Sequence, residues 1–301
     1  MKRRDFLRQL SVLPLAPGVV AATYGLEGVA SGVIPSSGER LPVIGMGSWL
    51  TFDVGTSSHG RASRTKVLKT FFDNGGTLVD SSPMYGSSEA VIGHCLKQIE
   101  GEQLFSATKV WTPGRWLGVK QMERSVSLWH ELPMDLLQVH NLLDWKTHLK
   151  TLRSWKEEGR VRYIGVTTSH GRRHDALAEI MRTEPIDFVQ LTYNIVDREA
   201  EQTLLPIALD KGIAVIANRP FKHSLLFDPV RHLPVPGWAR DIDCDNWAQI
   251  FLKFAVSHPA VTCAVPATSR VDHMQENMGA LKGTMPNAAQ RLAMAVHYAS
   301  L

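Results

Sequence analysis

A chain of 301 residues with 44% hydrophobic and 21% charged side chains has an ordinary globular composition, and it is long enough for one α/β barrel of about 250 residues. The formal charge of +4 is spread along the sequence without a long Lys/Arg run, which argues against a nucleic-acid-binding protein. Cys95, Cys244 and Cys263 are widely spaced and odd in number, so they form neither a metal-binding pattern nor a disulfide framework.

The first 30 residues have the pattern of a secretory signal. A charged head, MKRRDFLRQL, precedes a short apolar stretch that Pro and Gly interrupt. This stretch is too short for a stable membrane anchor, and no later segment is apolar enough for a transmembrane helix. Arg3-Arg4-Asp5-Phe6-Leu7 resembles the twin-arginine type of bacterial signal. We therefore predict a signal peptide over 1–30, a folded domain over 31–301, and export to the periplasm by the twin-arginine machinery. The alternative is a disordered basic tail on a cytoplasmic protein.

Eight apolar, strand-like runs alternate with amphipathic segments of helical length. The runs cover 41–49, 77–82, 104–110, 135–141, 161–168, 187–194, 213–221 and 261–269. Apolar residues recur every three or four positions between them, as in SVSLWHEL, which is typical of helices. Eight strand–helix repeats predict an α/β protein with a single (β/α)8 TIM barrel. We also predict a long rim loop over 222–245 and an extra C-terminal helix from Asn287 to about Tyr298.

Polar side chains stand at the ends of three consecutive predicted strands. Asp80 ends the second strand, Lys109 lies near the end of the third, and His140 ends the fourth. Tyr85 follows in the loop after the second strand. Each alone has an ordinary explanation, such as a helix cap, a solvated amine or a structural imidazole. Because the carboxyl ends of barrel strands meet on one rim, their joint occurrence predicts a catalytic site.

Together these features resemble the aldo-keto reductase family over nearly all of residues 38–285. The matching segments are VDSSPMYGSSE (79–89), SATKV (106–110), LLQVHN (136–141), GRVRYIGVTT (159–168), DFVQLTYN (187–194) and VPATSRVDHMQEN (265–277). The resemblance implies a barrel that binds NADPH in an extended pose, with neither a Rossmann domain nor a metal. This agrees with the lack of a G-x-G-x-x-G motif in the sequence. It places the family's catalytic tetrad on Asp80, Tyr85, Lys109 and His140.

The needs of carbonyl reduction give each tetrad residue a role. Hydride transfer creates an alkoxide, which Tyr85 would protonate as general acid. The Lys109 ammonium would lower the pKa of this phenol from its usual value of about 10. Asp80 would hold Lys109 through a charge-assisted hydrogen bond. His140 would bind the substrate oxygen and orient the carbonyl.

A predicted helix that begins after residue 270 suits the phosphate end of the cofactor. Thr268, Ser269 and Arg270 combine hydroxyls, free N–H groups and a guanidinium, and the resemblance assigns them to the 2′-phosphate of NADPH. A plain helix cap with a solvated arginine is the alternative. Gln275 stands where many family members have Arg, so NADPH is favoured and NADH stays an option. The other residues that the resemblance assigns to the cofactor are Glu276 and Asn277 at the adenine, and Thr167, Thr168 and Gln190 at the nicotinamide carboxamide.

The segment after the seventh strand departs from the family pattern. Many members stack an aromatic ring on the nicotinamide here, but this chain has Asn218, which cannot stack in that way. We expect Arg219 to lie near the pyrophosphate and to hold it electrostatically.

Aromatic and apolar residues follow the first three strands and are expected to line a pocket for a small carbonyl substrate. They are Trp49, Phe52, Met84, Trp111 and Trp116. The predicted function is NADPH-dependent reduction of an aldehyde or ketone. A nucleotide-binding redox sensor or channel-auxiliary subunit with little turnover remains open, as does a nucleotide-independent isomerase or epimerase. Aldehyde turnover and nucleotide binding discriminate among these three.

Overall fold

The computed structural model describes residues 28–99, 103–131 and 133–301. A hairpin of β1 (Ser31–Val33) and β2 (Arg40–Pro42) precedes a parallel sheet. The sheet strands are β3 (Met46–Gly47), β4 (Leu78–Asp80), β5 (Phe105–Val110), β6 (Met134–Val139), β7 (Val161–Thr167), β8 (Phe188–Thr192), β9 (Ala214–Asn218) and β10 (Val261–Ala264). Each strand pairs with the next in chain order. Parallel bridges Ile44–Ala264 and Gly47–Ala267 join the first strand to the last, which brings the sheet round into a barrel.

Helices follow the barrel strands and pack on the outside of the sheet. In the described ranges they are α1 (Ser58–Asp73), α2 (Ser88–Leu96), α3 (Arg115–Trp129), α4 (Trp145–Glu157), α5 (His174–Thr183), α6 (Leu204–Lys211), α7 (Trp247–Val256), α8 (Val271–Gly279) and α9 (Ala288–Ala299). Their faces are amphipathic: α5 buries Leu177, Ala178, Ile180 and Met181 and exposes Asp175 and Glu179. The predicted (β/α)8 barrel and its C-terminal helix are confirmed.

Two predicted segments differ in detail from the structure. The run 41–49 is divided between two sheets, because Pro42 ends β2 and has no N–H to continue a ladder. The predicted rim loop 222–245 contains two short 3-10 helices, Leu225–Phe227 and Gly237–Ile242.

Apolar side chains fill the barrel interior at the end opposite the predicted site. Phe105, Tyr163 and Phe188 pack against one another inside the barrel, with ring centroids 5.5 to 6.1 Å apart. Ile34 and Leu41 from the β1–β2 hairpin belong to the same buried cluster. The amino end of the barrel is therefore packed, and open space remains at the carboxyl end.

The predicted signal segment lies almost entirely outside the described residues, which begin at Gly28. Ala30, the last residue of that segment, is buried, and its N–H donates to Leu281 O while its carbonyl accepts from Val43 N–H. Within the described ranges, no helix combines the length and the apolar character needed to cross a membrane. All three cysteines are buried thiols.

Candidate active site

A cavity of about 430 Å³ opens at the carboxyl ends of the barrel strands. Its walls come from segments at or just after β3, β4, β6, β7, β8, β9 and β10. The lining includes Gly47–Thr51, Asp80, Met84, Tyr85, His140, Asn141, Thr167–His170, Gln190, Asn218–Phe221, His223, Ser224 and Val265–Ala267. Three of the four predicted tetrad residues line this cavity directly, and the fourth, Lys109, lies beneath it.

Lys109 and Asp80 form a buried ion pair at the floor of the site. Lys109 Nζ donates to Asp80 Oδ2 at 2.6 Å and to Ser81 O at 2.7 Å. The second carboxylate oxygen, Oδ1, accepts from Gln190 Nε2 at 3.1 Å and from Gln138 Nε2 at 3.4 Å. Burial alone would lower the pKa of Lys109, but the charges of Asp80 and Tyr85 outweigh it and raise the pKa above its ordinary value. Lys109 is therefore an ammonium at neutral pH.

Tyr85 lies between this ion pair and the imidazole of His140. Lys109 Nζ is 5.3 Å from the centroid of its ring, and the His140 ring meets it edge-on at 5.8 Å. The loop fixes this position because the next residue, Gly86, has a φ of +60° and a Cβ there would come within 2.3 Å of Asp53 Oδ2. The sequence places a glycine where the turn can accept nothing larger.

The pKa of Tyr85 departs from the expectation stated above. Burial raises this pKa most, the Lys109 ammonium lowers it, and Asp80 raises it again, so the net direction is upward. The predicted lowering by Lys109 is present, but the cost of burying a phenolate outweighs it. The expectation of a net lowered pKa is therefore wrong, and Tyr85 stays protonated through neutral pH.

His140 is neutral and oriented by a residue that the sequence did not single out. Burial and the Lys109 charge lower the pKa of His140 to about 3. Its Nδ1 lies 2.9 Å from Ser82 Oγ, which leaves Nε2 as the ring nitrogen for the cavity. In the sequence, Ser82 lies in the segment VDSSPMYGSSE, and nothing in that pattern indicates which side chain its hydroxyl contacts.

The residues predicted for the nicotinamide and pyrophosphate end of the cofactor give the cavity a polar wall. Thr167, Thr168, Gln190, Asn218 and Arg219 all line it. Asn218 accepts a hydrogen bond from Thr192 Oγ1 at 2.8 Å and donates from Nδ2 to Thr168 O at 2.9 Å. Thr167 Oγ1 accepts from the N–H of Asn141. Two hydrogen bonds thus fix the Asn218 amide in the cavity wall, at a position without an aromatic ring.

The predicted phosphate and adenine residues lie beyond the cavity, along the same edge of the barrel. Ala267 is the last lining residue before Thr268, whose Oγ1 accepts from Arg270 N–H at 3.1 Å. Arg270 is exposed and forms an ion pair with Asp272. Glu276 is exposed and Asn277 is buried on α8. A phosphate at this helix start would compete with Asp272 for the Arg270 guanidinium.

The predicted substrate residues are divided between the cavity and other positions. Trp49 and Met84 line the mouth. Trp111 does not line it, and its backbone N–H and C=O both bind the side chain of Gln121 on α3. Phe52 is fully buried under its loop, and Trp116 is 70% exposed. The assignments of Trp111, Phe52 and Trp116 to this pocket are therefore corrected.

The predicted rim loop supplies part of the mouth. His223 meets Trp49 edge-on, with ring centroids 4.7 Å apart, and lies 6.0 Å from His170. His223 and Ser224 both have positive φ values, which is uncommon for residues other than glycine. The length of the loop predicted coverage of a site, but its sequence did not identify the histidine that reaches the cavity.

The fold and site together define a TIM-barrel enzyme with its chemistry at the carboxyl-end rim. A model of the Aldo/keto reductase family matches residues 43–289, far more than half of the chain. The chain therefore belongs to the aldo/keto reductase family and is an NAD(P)-dependent oxidoreductase.

Individual relatives agree with this assignment. The chain is 27% identical over 229 residues to an NADH-specific methylglyoxal reductase of Escherichia coli K12. The aligned region covers 65% of this chain and 69% of that protein. It is 24% identical over 269 residues to another methylglyoxal reductase of that organism, and the aligned region covers 85% of this chain and 91% of that protein.

Solved structures show the same barrel. A thermostable aldo-keto reductase in complex with the inhibitor epalrestat gives a TM-score of 0.75 at 25% identity, covering 88% of this chain and 98% of that one. An aldo-keto reductase from Klebsiella pneumoniae in complex with NADPH gives a TM-score of 0.74 at 22% identity, covering 89% of this chain and 94% of that one.

Proposed function

We propose that this protein reduces a small aldehyde or ketone to the alcohol by hydride transfer from NADPH, with Tyr85 as the general acid. The observation that carries the proposal is the buried Lys109–Asp80 ion pair beneath Tyr85, with neutral His140 on the other side of the phenol. All four groups converge on one cavity floor. A general acid, a cation beside it and a neutral hydrogen-bond donor are what reduction of a carbonyl requires.

The charge states of His140, Tyr85 and Lys109 determine their proposed roles in the reaction. When bound, the nicotinamide would supply the hydride. His140 donates from Nε2 to the carbonyl oxygen and fixes its direction. Tyr85 gives its proton to that oxygen as negative charge develops there, and Lys109 stabilises the resulting phenolate. Because the pKa of Tyr85 is raised, the acid form persists at neutral pH, and the rate of reduction should decline only as pH rises toward that raised pKa.

NADPH is the proposed cofactor, with NADH as the alternative. Arg219 lines the cavity, and its Nε is a buried donor without a hydrogen-bond partner among the described residues. Such a donor suits the pyrophosphate that both nucleotides carry. The Klebsiella neighbour was solved with NADPH, whereas one Escherichia coli relative is NADH-specific. Arg270 at the start of α8 is the proposed discriminator, because only NADPH has a 2′-phosphate.

Replacing Arg270 with Met should raise the Kd for NADPH at least tenfold and leave the Kd for NADH nearly unchanged. The lost interaction is a charge-assisted contact of about 1.5–3 kcal/mol. Asp272→Asn is the matched control, since it removes the carboxylate that competes for Arg270, and it should leave NADPH binding equal or tighter. Titration of intrinsic fluorescence with each nucleotide gives the Kd for the wild type, Arg270→Met and Asp272→Asn. Equal losses for NADPH and NADH in Arg270→Met would contradict this assignment.

The proposed substrates are small aldehydes and ketones, including methylglyoxal. Trp49, Leu50 and Met84 give one side of the mouth an apolar character, and the polar residues of the other wall are those proposed to hold the nucleotide. Two curated relatives are methylglyoxal reductases, which supports this class. Oxidation of NADPH should be measured with methylglyoxal and a panel of simple aldehydes. Tight nucleotide binding without turnover of any of them would favour the sensor and contradict the reductase.

Export by the twin-arginine route remains a proposal that rests on the Arg3-Arg4 pattern alone. This route carries folded proteins, which suits an enzyme that takes up a nucleotide before export. Changing Arg3 and Arg4 to Lys should keep the protein in the cytoplasm. Unchanged export of that variant would contradict the proposal.

A further inference from the structure

We propose that Ser82 is a positioning residue, whose hydroxyl donates to Nδ1 of His140 and so keeps the ring proton on Nε2, the nitrogen available to the substrate oxygen. The catalytic consequence rests on the function proposed above. The location of the proton does not, and it can be measured without any substrate.

The Ser82 hydroxyl lies between a ring nitrogen of His140 and the backbone N–H of Met84. Ser82 is the second residue after β4 and is almost completely buried. Its Oγ lies 2.9 Å from His140 Nδ1 and receives the N–H of Met84 at 3.4 Å. Across the described ranges, these are the two hydrogen bonds of this oxygen. One neighbour is a fixed donor, and the other can be a donor or an acceptor.

Counting protons decides between the two tautomers. The backbone N–H of Met84 can only donate, so Ser82 Oγ is the acceptor in that bond. If His140 carried its proton on Nδ1, Oγ would accept twice and its own buried proton would have no acceptor, which costs free energy. If the proton is on Nε2, Ser82 donates to Nδ1 and every group is satisfied. The choice arises because His140 is neutral, with its pKa lowered to about 3 by burial and by Lys109.

The same turn positions both the serine and the general acid. Tyr85 N–H donates to Ser82 O at 3.0 Å, which makes residues 82–85 a β-turn with Pro83 at its second position. A serine at the first position of a turn can accept from the N–H two residues on, as Ser82 does from Met84. The turn therefore fixes the Ser82 hydroxyl against His140 on one side and presents Tyr85 on the other. One short segment couples the orientation of the carbonyl binder to the position of the acid.

The direct test is long-range 1H–15N NMR of the full-length protein with 15N-labelled histidine. The sequence has 12 histidines, so a His140→Gln variant identifies the signals of this ring. We expect an unprotonated Nδ1 and a protonated Nε2 at neutral pH. In Ser82→Ala the ring should lose this single form and show a mixture of tautomers. A protonated Nδ1 in the wild type, or an unchanged ring in Ser82→Ala, would overturn the proposal.

Kinetics give a second, graded readout. Ser82→Ala should lower kcat/KM for carbonyl reduction roughly tenfold, the rate equivalent of about one hydrogen bond. Ser82→Cys keeps a weaker donor of similar size, so its kcat/KM should lie between that of the wild type and that of Ser82→Ala. Ser88→Ala is the control, because Ser88, the first residue of α2, is an equally buried serine that donates to Ser48 O. This variant should retain wild-type kcat/KM. Equal losses in Ser82→Ala and Ser88→Ala would indicate a packing effect and contradict the proposal. If the wild type reduces no carbonyl, the proposed function fails while the NMR result still stands.

Discussion

Tyr85→Phe is expected to lower the rate of carbonyl reduction by about 100-fold to 10,000-fold, the usual contribution of a general acid. The change removes one oxygen and leaves the ring in place against His140 and Lys109. Nucleotide binding should therefore change little, and the loss should fall on kcat. Stopped-flow measurement of NADPH oxidation, beside a nucleotide titration, separates the two effects.

Tyr163→Phe is the matched control for this experiment. Tyr163 is also a partly enclosed phenol, but its hydroxyl binds Ser37 and Glu39 at the opposite end of the barrel. This variant should keep the wild-type rate. Substantial turnover by Tyr85→Phe would show that the proton comes from another group, and the role assigned to Tyr85 would have to be abandoned.

Lys109→Met should cost both stability and nearly all activity. It leaves the Asp80 carboxylate buried without its cation, which costs about 3–5 kcal/mol when a buried pair is broken. It also removes the charge that stabilises the Tyr85 phenolate as the proton leaves. Chemical denaturation and NADPH oxidation measure the two losses on the same preparation.

Two further variants separate charge pairing from chemistry. Lys109→Met combined with Asp80→Asn removes both charges and should recover part of the unfolding free energy without recovering turnover. Lys253→Met is the control for burial, because Lys253 is another fully buried lysine, which donates to the backbone carbonyls of Ile242 and Lys282. It should lower stability while the folded protein keeps its kcat. A stable and active Lys109→Met would contradict the account of the site.

The parts of the site that sequence could predict are those that depend on residue type and strand order. Asp80 and Lys109 end neighbouring strands, so a parallel barrel brings them together whatever the loops do. The direction of the Tyr85 pKa could not be predicted in this way, because it depends on how deeply the loop buries the phenol. The sequence shows that the Lys109 ammonium lies near the end of a neighbouring strand, but it does not show how far burial raises the pKa of Tyr85.

Residues whose role depends on side-chain direction were also beyond the sequence. Trp111 follows a barrel strand just as Met84 does, yet it lies outside the cavity, where its backbone binds the side chain of Gln121 on α3. Ser82 is one of four serines in the segment 79–89, and only the structure brings its hydroxyl to His140. Arg270 was expected to face a phosphate, and it pairs with Asp272 on its own helix turn. Loop and rotamer geometry, rather than spacing along the chain, decides these contacts.

Transfer of deuterium from nicotinamide to product is the decisive test of the proposed hydride transfer. The wild-type protein should be incubated with methylglyoxal and NADPH deuterated at C4, in separate reactions for each of the two C4 positions. We expect an alcohol product that carries one deuterium from one of the two labelled cofactors and none from the other. With Tyr85→Phe, this product should form far more slowly. Alcohol without deuterium from either cofactor, or bound NADPH with no alcohol formed from any carbonyl tested, would contradict it.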